Sequence, residues 1–391
     1  MLPEFFEFYS PTKIVFGIGL ARDFQTELEA LGTKRLFVVS DRAIKELGLV
    51  DKVTDGLQSS ATEVAGEYLE VPPNAELSAV VACSEQAKSC GADGFLAVGG
   101  GSVLDAAKAA NILLCEGGNL LEDHSGAQTL TRPLKPLIAI PTTAGTGSEA
   151  TMVAVVYDRE NEVKIPFTDK FLLPNLAVLD PEMTASLPPK LTASTAMDAL
   201  THAIEAFVGL QSSPIPDALA YGAVELIFGN VAEACKDGRN MEARGALSIA
   251  SNMAGIAFSH SMVGCVHAMA HALGGLYRVP HGVANGILLP HGMEYNFEQI
   301  KGKLPKLAPA VGVEAGGLAA DAAAERTIEA VKALRLELHR MDALPLNLRE
   351  VGVPEEGLQA VAEGAVMDGT SFYNPREMSA EDILAHLKNA Y

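Results

Sequence analysis

Five of the nine histidines fall between His260 and His291. Within that window Val266-His267-Ala268-Met269-Ala270-His271 sets His267 and His271 four residues apart, which puts both rings on one face of a helix. His281 follows in Val279-Pro280-His281-Gly282, read as a turn. Upstream, Met197-Asp198-Ala199-Leu200-Thr201-His202 repeats the interval with a carboxylate and an imidazole. Two such pairs and a turn histidine are able to converge on one divalent ion. Imidazole and carboxylate suit iron, zinc or nickel, and neutral histidines with one aspartate leave the ion a net positive Lewis acid. A histidine pair at helical spacing is more often simply a satisfied core or surface pair. Here Asp198 and His202 sit among Ala196, Ala199, Leu200, Ala203 and Ile204, where a polar group is expensive to bury unless something satisfies it. His124, His260, His291, His339 and His386 have no comparable spacing and read as ordinary hydrogen-bonded or surface residues.

A second kind of chemistry lies in the first half. Gly99-Gly100-Gly101-Ser102 follows the apolar run Phe95 to Val98 and precedes the helix-forming Val103 to Ala110. A strand, a glycine turn and a helix N-terminus make an anion site, because bare backbone amides approach a phosphate and the helix dipole favours its charge. The plainer reading is a turn that ends a strand. Pro141-Thr142-Thr143-Ala144-Gly145-Thr146-Gly147-Ser148-Glu149, after the strand Leu137 to Ile140, adds hydroxyls and glycines able to line a nucleotide, or is a polar loop with a helix start at Ser148 and Glu149. Asp41, just past the strand ending at Ser40, is placed either to accept from a ribose or to cap the next helix. In the Rossmann fingerprint glycines precede the acid; here the acid comes first, so that motif is not present.

The elements that must position these groups divide the chain. Arg35 to Ser40, Phe95 to Val98 and Leu137 to Ile140 read as buried strands, with a helix over Leu77 to Lys88, so the first half is a mostly parallel sheet with helices on its faces. Past Leu187-Pro188-Pro189 the pattern turns helical over Ser194 to Val208, Asp217 to Ala234, Met241 to Phe258 and Leu318 to Met341. Two domains are expected, an α/β domain over 1–185 and an all-helical one over 186–391.

The 49 acidic against 29 basic residues give a net charge of -20, which argues against nucleic acid or an anionic membrane as partner. No apolar run approaches the roughly 20 residues of a membrane span, and Met1-Leu2-Pro3-Glu4 opens no signal peptide, so a cytoplasmic protein is expected. Cys83, Cys90, Cys115, Cys235 and Cys265 are odd in number and lack a C-x-x-C pair, which suits reduced thiols better than a disulfide framework or thiolate metal site.

Taken together, Gly99 to Lys108, Pro141 to Glu149, Met197 to Glu205, His267 to Gly274, Pro280 to Pro290 and Asn374-Pro375-Arg376 resemble the iron-containing (group III) alcohol dehydrogenases over essentially the whole chain. The resemblance implies a dehydroquinate synthase-like architecture, in which an N-terminal dinucleotide-binding α/β domain meets an all-α metal-binding domain across a cleft. It implies Asp198, His202, His267 and His281 as ligands of Fe2+, with Zn2+ or another divalent metal fitting the same donors. It sets His271 beside nicotinamide and substrate as a catalytic residue. Cofactor contacts are implied at Asp41, Asn74, Gly101, Ser102, Thr142, Thr143, Thr151, Val153, Lys164 and Met183, and Phe258 is implied at the substrate pocket. Val103 stands where many relatives have proline and Met183 where they often have leucine; Val153 is apolar where some are polar.

The activity implied is NAD-dependent interconversion of short primary alcohols or diols with aldehydes. Alternatives are a dehydroquinate synthase-like lyase, which needs a basic pocket where the ligand region offers mainly Arg278, a specialised hydroxy-acid or aldehyde reductase of the same superfamily, and a non-catalytic metal-binding or scaffold protein. The expected partners are a small alcohol or aldehyde and further copies of the chain, as a dimer or higher homo-oligomer.

Overall fold

The computed structural model describes Pro3–Tyr391. It comprises two compact units: Tyr9–Ser186, and Leu187–Tyr391 together with the leading stretch that ends at Phe8.

The first unit is built on β1 (Lys13–Phe16), β2 (Arg35–Val39), β3 (Glu63–Tyr68), β4 (Gly94–Gly99), β6 (Leu137–Pro141) and β9 (Leu176–Leu179), paired in parallel in the order β1-β9-β6-β4-β2-β3. The central strands are apolar along their length because both faces are covered. Leu36, Val38, Leu96, Val98, Ile138 and Ile140 enter one core, and Phe37, Val39, Phe95, Ala97, Leu137 and Ala139 the other. Helices α2 (Leu77–Ser89) and α3 (Gly101–Glu116) contribute Val80, Cys83, Ala87, Val103 and Ala107 to that second core. From β2 the chain first runs outward, through the short helix α1 (Arg42–Glu46), to β3; it then returns to the other side of β2 to form β4. The carboxyl ends of β2 and β4 therefore flank the point where strand order reverses, where open parallel sheets bind ligands. A smaller sheet of β5 (Gly126–Ala127), β7 (Val153–Asp158) and β8 (Val163–Thr168) joins this edge: Tyr157 N donates to Ala75 O at 3.2 Å and Val155 N to Asp105 Oδ2 at 3.0 Å.

The second unit is helical. Its main helices are α4 (Pro189–Val208), α5 (Pro214–Lys236), α6 (Met241–Ser261), α7 (Cys265–Tyr277), α8 (His281–Tyr295), α9 (Ala320–Arg340), α10 (Leu358–Met367) and α11 (Ala380–Asn389). Helix α4 packs against α5, α6 and α8, and α7 against α8 and α10. By length and mean hydropathy α5 is apolar enough to cross a bilayer, yet Ala220, Val224, Ile227 and Val231 bury one side of it in the bundle. Between α6 and α7 the axis turns by 102°, with Met262 at φ 62° in the connection.

Candidate active site

The helical unit assembles the first set of functional groups. Asp198, His202 and Glu205 lie at i, i+4 and i+7 of α4, one face of the helix. His267 and His271 project from α7. His281 is the first residue of α8 rather than part of a turn: Pro280 supplies the extended N-cap backbone, and a helix continues through Tyr295 despite Pro290. Close approach of α8 to α4 depends on Gly282, where a Cβ would lie 2.3 Å from Ser194 O and 3.4 Å from Asp198 Cβ. One donor atom each from Asp198, His202, His267 and His281 then lies within 4.8 Å of all the others. Asp198, His202 and His267 are buried, whereas the His281 side chain is 30% exposed.

The electrostatics suit a cation. Burial opposes charge on Asp198, but the His202, His281 and His267 rings and the Asn285 amide overcome it and hold the carboxyl below its ordinary range. Burial, reinforced by the neighbouring His202, keeps His267 well below the usual histidine range, hence neutral with a lone pair to offer. Asn285 Nδ2 stands 2.6 Å from Asp198 Oδ1 and 3.2 Å from Nε2 of both His267 and His281. One amide nitrogen has only two hydrogens to set against a carboxylate oxygen and two ring nitrogens. Donor atoms converging in this way could hold a metal ion, and three imidazoles with a carboxylate fit Fe2+ or Zn2+.

Around the donors, His202 is stacked between Phe258 (4.3 Å between centroids) and His267 (4.5 Å). His267 Nδ1 lies 2.6 Å from Glu205 Oε2, within hydrogen-bond distance. Burial raises the Glu205 carboxyl to about 7, against the Gly264, Val266 and His267 amides. His271 is not among the four convergent donors; its ring stacks on His281 at 5.3 Å, and its Nδ1 donates to Asp368 Oδ2 at 2.9 Å. Asp368 is fixed in turn by Thr370 N at 2.9 Å and Thr370 Oγ1 at 2.7 Å. Burial opposes its charge, but the bond from His271 keeps it below the ordinary carboxylate range.

The α/β unit brings most of the expected cofactor residues to one edge. Asp41 is the N-cap of α1, Oδ1 accepting from Ile44 N at 2.9 Å. Ser40 Oγ donates to Val98 O at 2.6 Å, which ties the end of β2 to β4 beside the glycine turn. Gly101 leaves no room for a Cβ, which would lie 2.7 Å from Thr146 Cγ2, and at Gly100 a Cβ would press on Thr143 Cγ2 at 3.2 Å. Asn74 N donates to Ser102 Oγ at 3.0 Å, and Thr142 N to Gly99 O at 3.0 Å. Asp41, Asn74, Gly101, Ser102, Thr142 and Thr143 thus share the carboxyl edge of β2, β4 and β6. Thr151, Val153 and Lys164 belong to the smaller sheet or its approach, Lys164 exposed on β8. Met183 is fully buried in the core beside β9, so its side chain faces the protein interior.

Four participants escaped the sequence reading. Glu205 was detectable, being on the helical face of Asp198 and His202. Asn285, one turn beyond His281, was also within reach. Asp368 meets His271 across 97 residues, and buried Lys108 meets Thr151 and Val153 through the fold; no local pattern marks either.

A doubly wound sheet with a glycine-lined edge, together with a helical unit bearing such a donor set, is the dehydroquinate synthase-like architecture. The iron-containing alcohol dehydrogenase model matches residues 11–181 and the C-terminal model of the Fe-containing alcohol dehydrogenase family matches 192–391, so the chain belongs to the iron-containing alcohol dehydrogenases. It is 38% identical over 389 residues to the 1,3-propanediol dehydrogenase of Klebsiella pneumoniae, covering 99% of both chains. It is 34% identical over 383 residues to the NAD-dependent methanol dehydrogenase of Bacillus methanolicus, covering 98% of this chain and 99% of that one. Among solved structures, a 1,3-propanediol oxidoreductase matches with a TM-score of 0.95 at 36% identity, over 99% of this chain and all of the other. The enzyme is an alcohol dehydrogenase, and the lyase and scaffold alternatives fall away.

Proposed function

We propose that the enzyme interconverts short primary alcohols or diols and their aldehydes with NAD and one divalent metal, Fe2+ by family likeness and Zn2+ by equal fit to the donors. The observation that carries the metal is the convergence of Asp198, His202, His267 and His281 on one point, His267 held neutral. When bound, the metal supplies Lewis acidity at the alcohol oxygen and NAD supplies the hydride acceptor. The chain's own residues hold and orient. Asp198, His202, His267 and His281 hold the ion. The Gly101 and Ser102 amides at the start of α3 face the cofactor's phosphates, and Asp41 accepts from a ribose hydroxyl. Asn74, Thr142, Thr143, Thr151, Val153, Lys164 and Met183 complete the proposed cofactor contacts, Met183 through its backbone.

His271 receives the alcohol proton at Nε2, because Asp368 occupies Nδ1. Phe258, stacked on His202, gives the metal donors an apolar neighbour suited to an uncharged substrate. Apolar walls discriminate by only about 10- to 200-fold per methylene, so several short alcohols should serve. A dimeric or higher homo-oligomer and a cytoplasmic setting belong to the same reading, the latter supported by five free cysteines. NADH formation is to be followed with a panel of alcohols, before chelation, after chelation and after return of Fe2+ or Zn2+. Metal-dependent oxidation of several short alcohols is expected. Full activity in a metal-free preparation, or a strong preference for a phosphorylated or dicarboxylate substrate, overturns the proposal.

A further inference from the structure

Glu205 lies one turn beyond His202 on the face of α4 that carries Asp198 and His202, yet it lies outside the donor set. It is buried, and both its oxygens are engaged. Oε1 accepts from Val266 N at 2.7 Å, and Oε2 lies 2.6 Å from His267 Nδ1. Helix α7 has no side-chain cap of its own, its N-cap being Gly264. Its first amides are met from elsewhere, Cys265 N by Asn374 Oδ1 at 3.1 Å and Val266 N by Glu205. Gly264 makes room for both: a Cβ there would lie 2.8 Å from Asn374 Oδ1 and 3.3 Å from Glu205 Oε1.

We infer that Glu205 is a positioning residue for the metal centre: one carboxylate caps helix α7 and fixes His267 as the Nδ1–H tautomer, leaving Nε2 free to bind the ion. The inference rests on the proposed metal reading. An ionised carboxylate at this place can only accept, which sets the hydrogen of His267 on Nδ1, and the lone pair on Nε2 then points where Asn285 Nδ2 lies 3.2 Å away, among the other donors. Among the described residues His202 has no such orienting partner, its Nδ1 being buried without a hydrogen bond. Of these two stacked rings, His267 is the one whose donor atom is preset. A carboxylate behind a metal-binding imidazole fixes tautomer and ring orientation, and its loss typically costs about 10- to 100-fold in metal affinity.

Glu205→Gln is the discriminating change because it keeps shape while replacing one acceptor by a donor. If the amide oxygen stays on Val266 N, the NH2 faces Nδ1 and drives the hydrogen of His267 onto Nε2, blocking the ligand atom. If the amide turns round, its NH2 meets the Val266 N–H and the helix end loses its cap. Either arrangement weakens binding. Zn2+ affinity of the full-length apoenzyme is to be measured by chelator competition for wild type and E205Q, with circular dichroism and elution volume as controls. A dissociation constant raised about 10- to 100-fold in a folded variant is expected. An affinity within threefold of wild type overturns the inference. Should E205Q fail to fold, 15N-histidine NMR of the wild-type apoenzyme, with His267 assigned by its loss in His267→Gln, decides the matter: a hydrogen on Nδ1 supports the inference and one on Nε2 overturns it. Absence of Zn2+ binding by wild type would instead refute the metal reading itself.

Discussion

Lys108 offers a severe test of how the α/β unit holds its cofactor edge. It is 1% exposed, and its Nζ donates to Thr151 O at 2.8 Å, Thr151 Oγ1 at 3.0 Å and Val153 O at 2.8 Å, using all three hydrogens. Burial lowers its pKa to about 8 while the charges of Asp105 and Glu149 pull it back up. Asp105 is itself raised by burial, and it accepts from Ser148 Oγ at 2.7 Å and Val155 N at 3.0 Å. One ammonium group therefore fastens α3, which begins at the glycine turn, to the entry of β7, and it neutralises a buried carboxylate in doing so. Lys108→Met keeps the aliphatic stem but removes the donors and the charge. Acceptors that lose their donors cost about 1–3 kcal/mol each, and a buried charge stripped of its partner about 3–5 kcal/mol. The two overlap, so the expected loss is about 3–5 kcal/mol from the α/β unit. Urea titration read by hydrogen exchange, with β7 peptides for this unit and α6 peptides for the helical one, separates that loss from a global effect. Adding Asp105→Asn should restore about 0.5–3 kcal/mol, because the stranded carboxylate is then gone. The KM for NAD should rise in the single variant. A loss below about 1 kcal/mol at β7, less than one stranded acceptor, or no coupling to Asp105, refutes the reasoning.

Further outcomes are expected elsewhere. Asp41→Asn keeps a side chain that caps as well as aspartate but removes its charge. A charge pair at 4 Å is worth about 1 kcal/mol in water and about 4 at an effective dielectric of 20, so NADP should gain on NAD by at least about fivefold in kcat/KM; an unchanged ratio removes Asp41 from the ribose site. His271→Ala should retain one metal per chain while turnover falls, with Asp368→Asn falling in parallel; metal loss from a folded His271 variant would make it a ligand. His291 is pushed down from 6.5 to about 4 by burial, reinforced by Arg335. Between those values the unfolded chain binds the proton that the folded chain refuses, so stability is lost as pH falls from 6.5 toward 4, by up to about 3 kcal/mol. Urea midpoints of His291→Gln should show a correspondingly flatter acid limb, and an identical slope would dismiss the assignment.

What the sequence discloses about this site follows from where each interaction is encoded. Asp198–His202 and His267–His271 are legible because a helix turns an interval of four residues into a shared face, so period alone groups them. Period does not say that His267 goes to the donor set while His271 stacks on His281 and bonds Asp368; that choice depends on where α8 and the loop after α10 come to lie. The buried strands β2, β4 and β6 are legible as apolar runs for a similarly local reason. Edge strand β1, with three of its four residues exposed, and β3, interrupted by Gly66, carry no such run. The alternating burial of β7 is a signal present in Val153–Asp158, but its partner β8 contains Pro166 and has three of its six residues exposed, so the smaller sheet becomes recognisable only once paired. Gly282 makes the same point at the scale of one atom. Its absent Cβ reads as a helix-weakening glycine in sequence, yet Ser194 O occupies that space, and this contact lets α8 bring His281 within reach of Asp198. The chemistry of the donor set is thus written locally as donor types and intervals, whereas its geometry is written in contacts between elements, at Gly282, Glu205 and Gly264, whose meaning exists only in the folded chain.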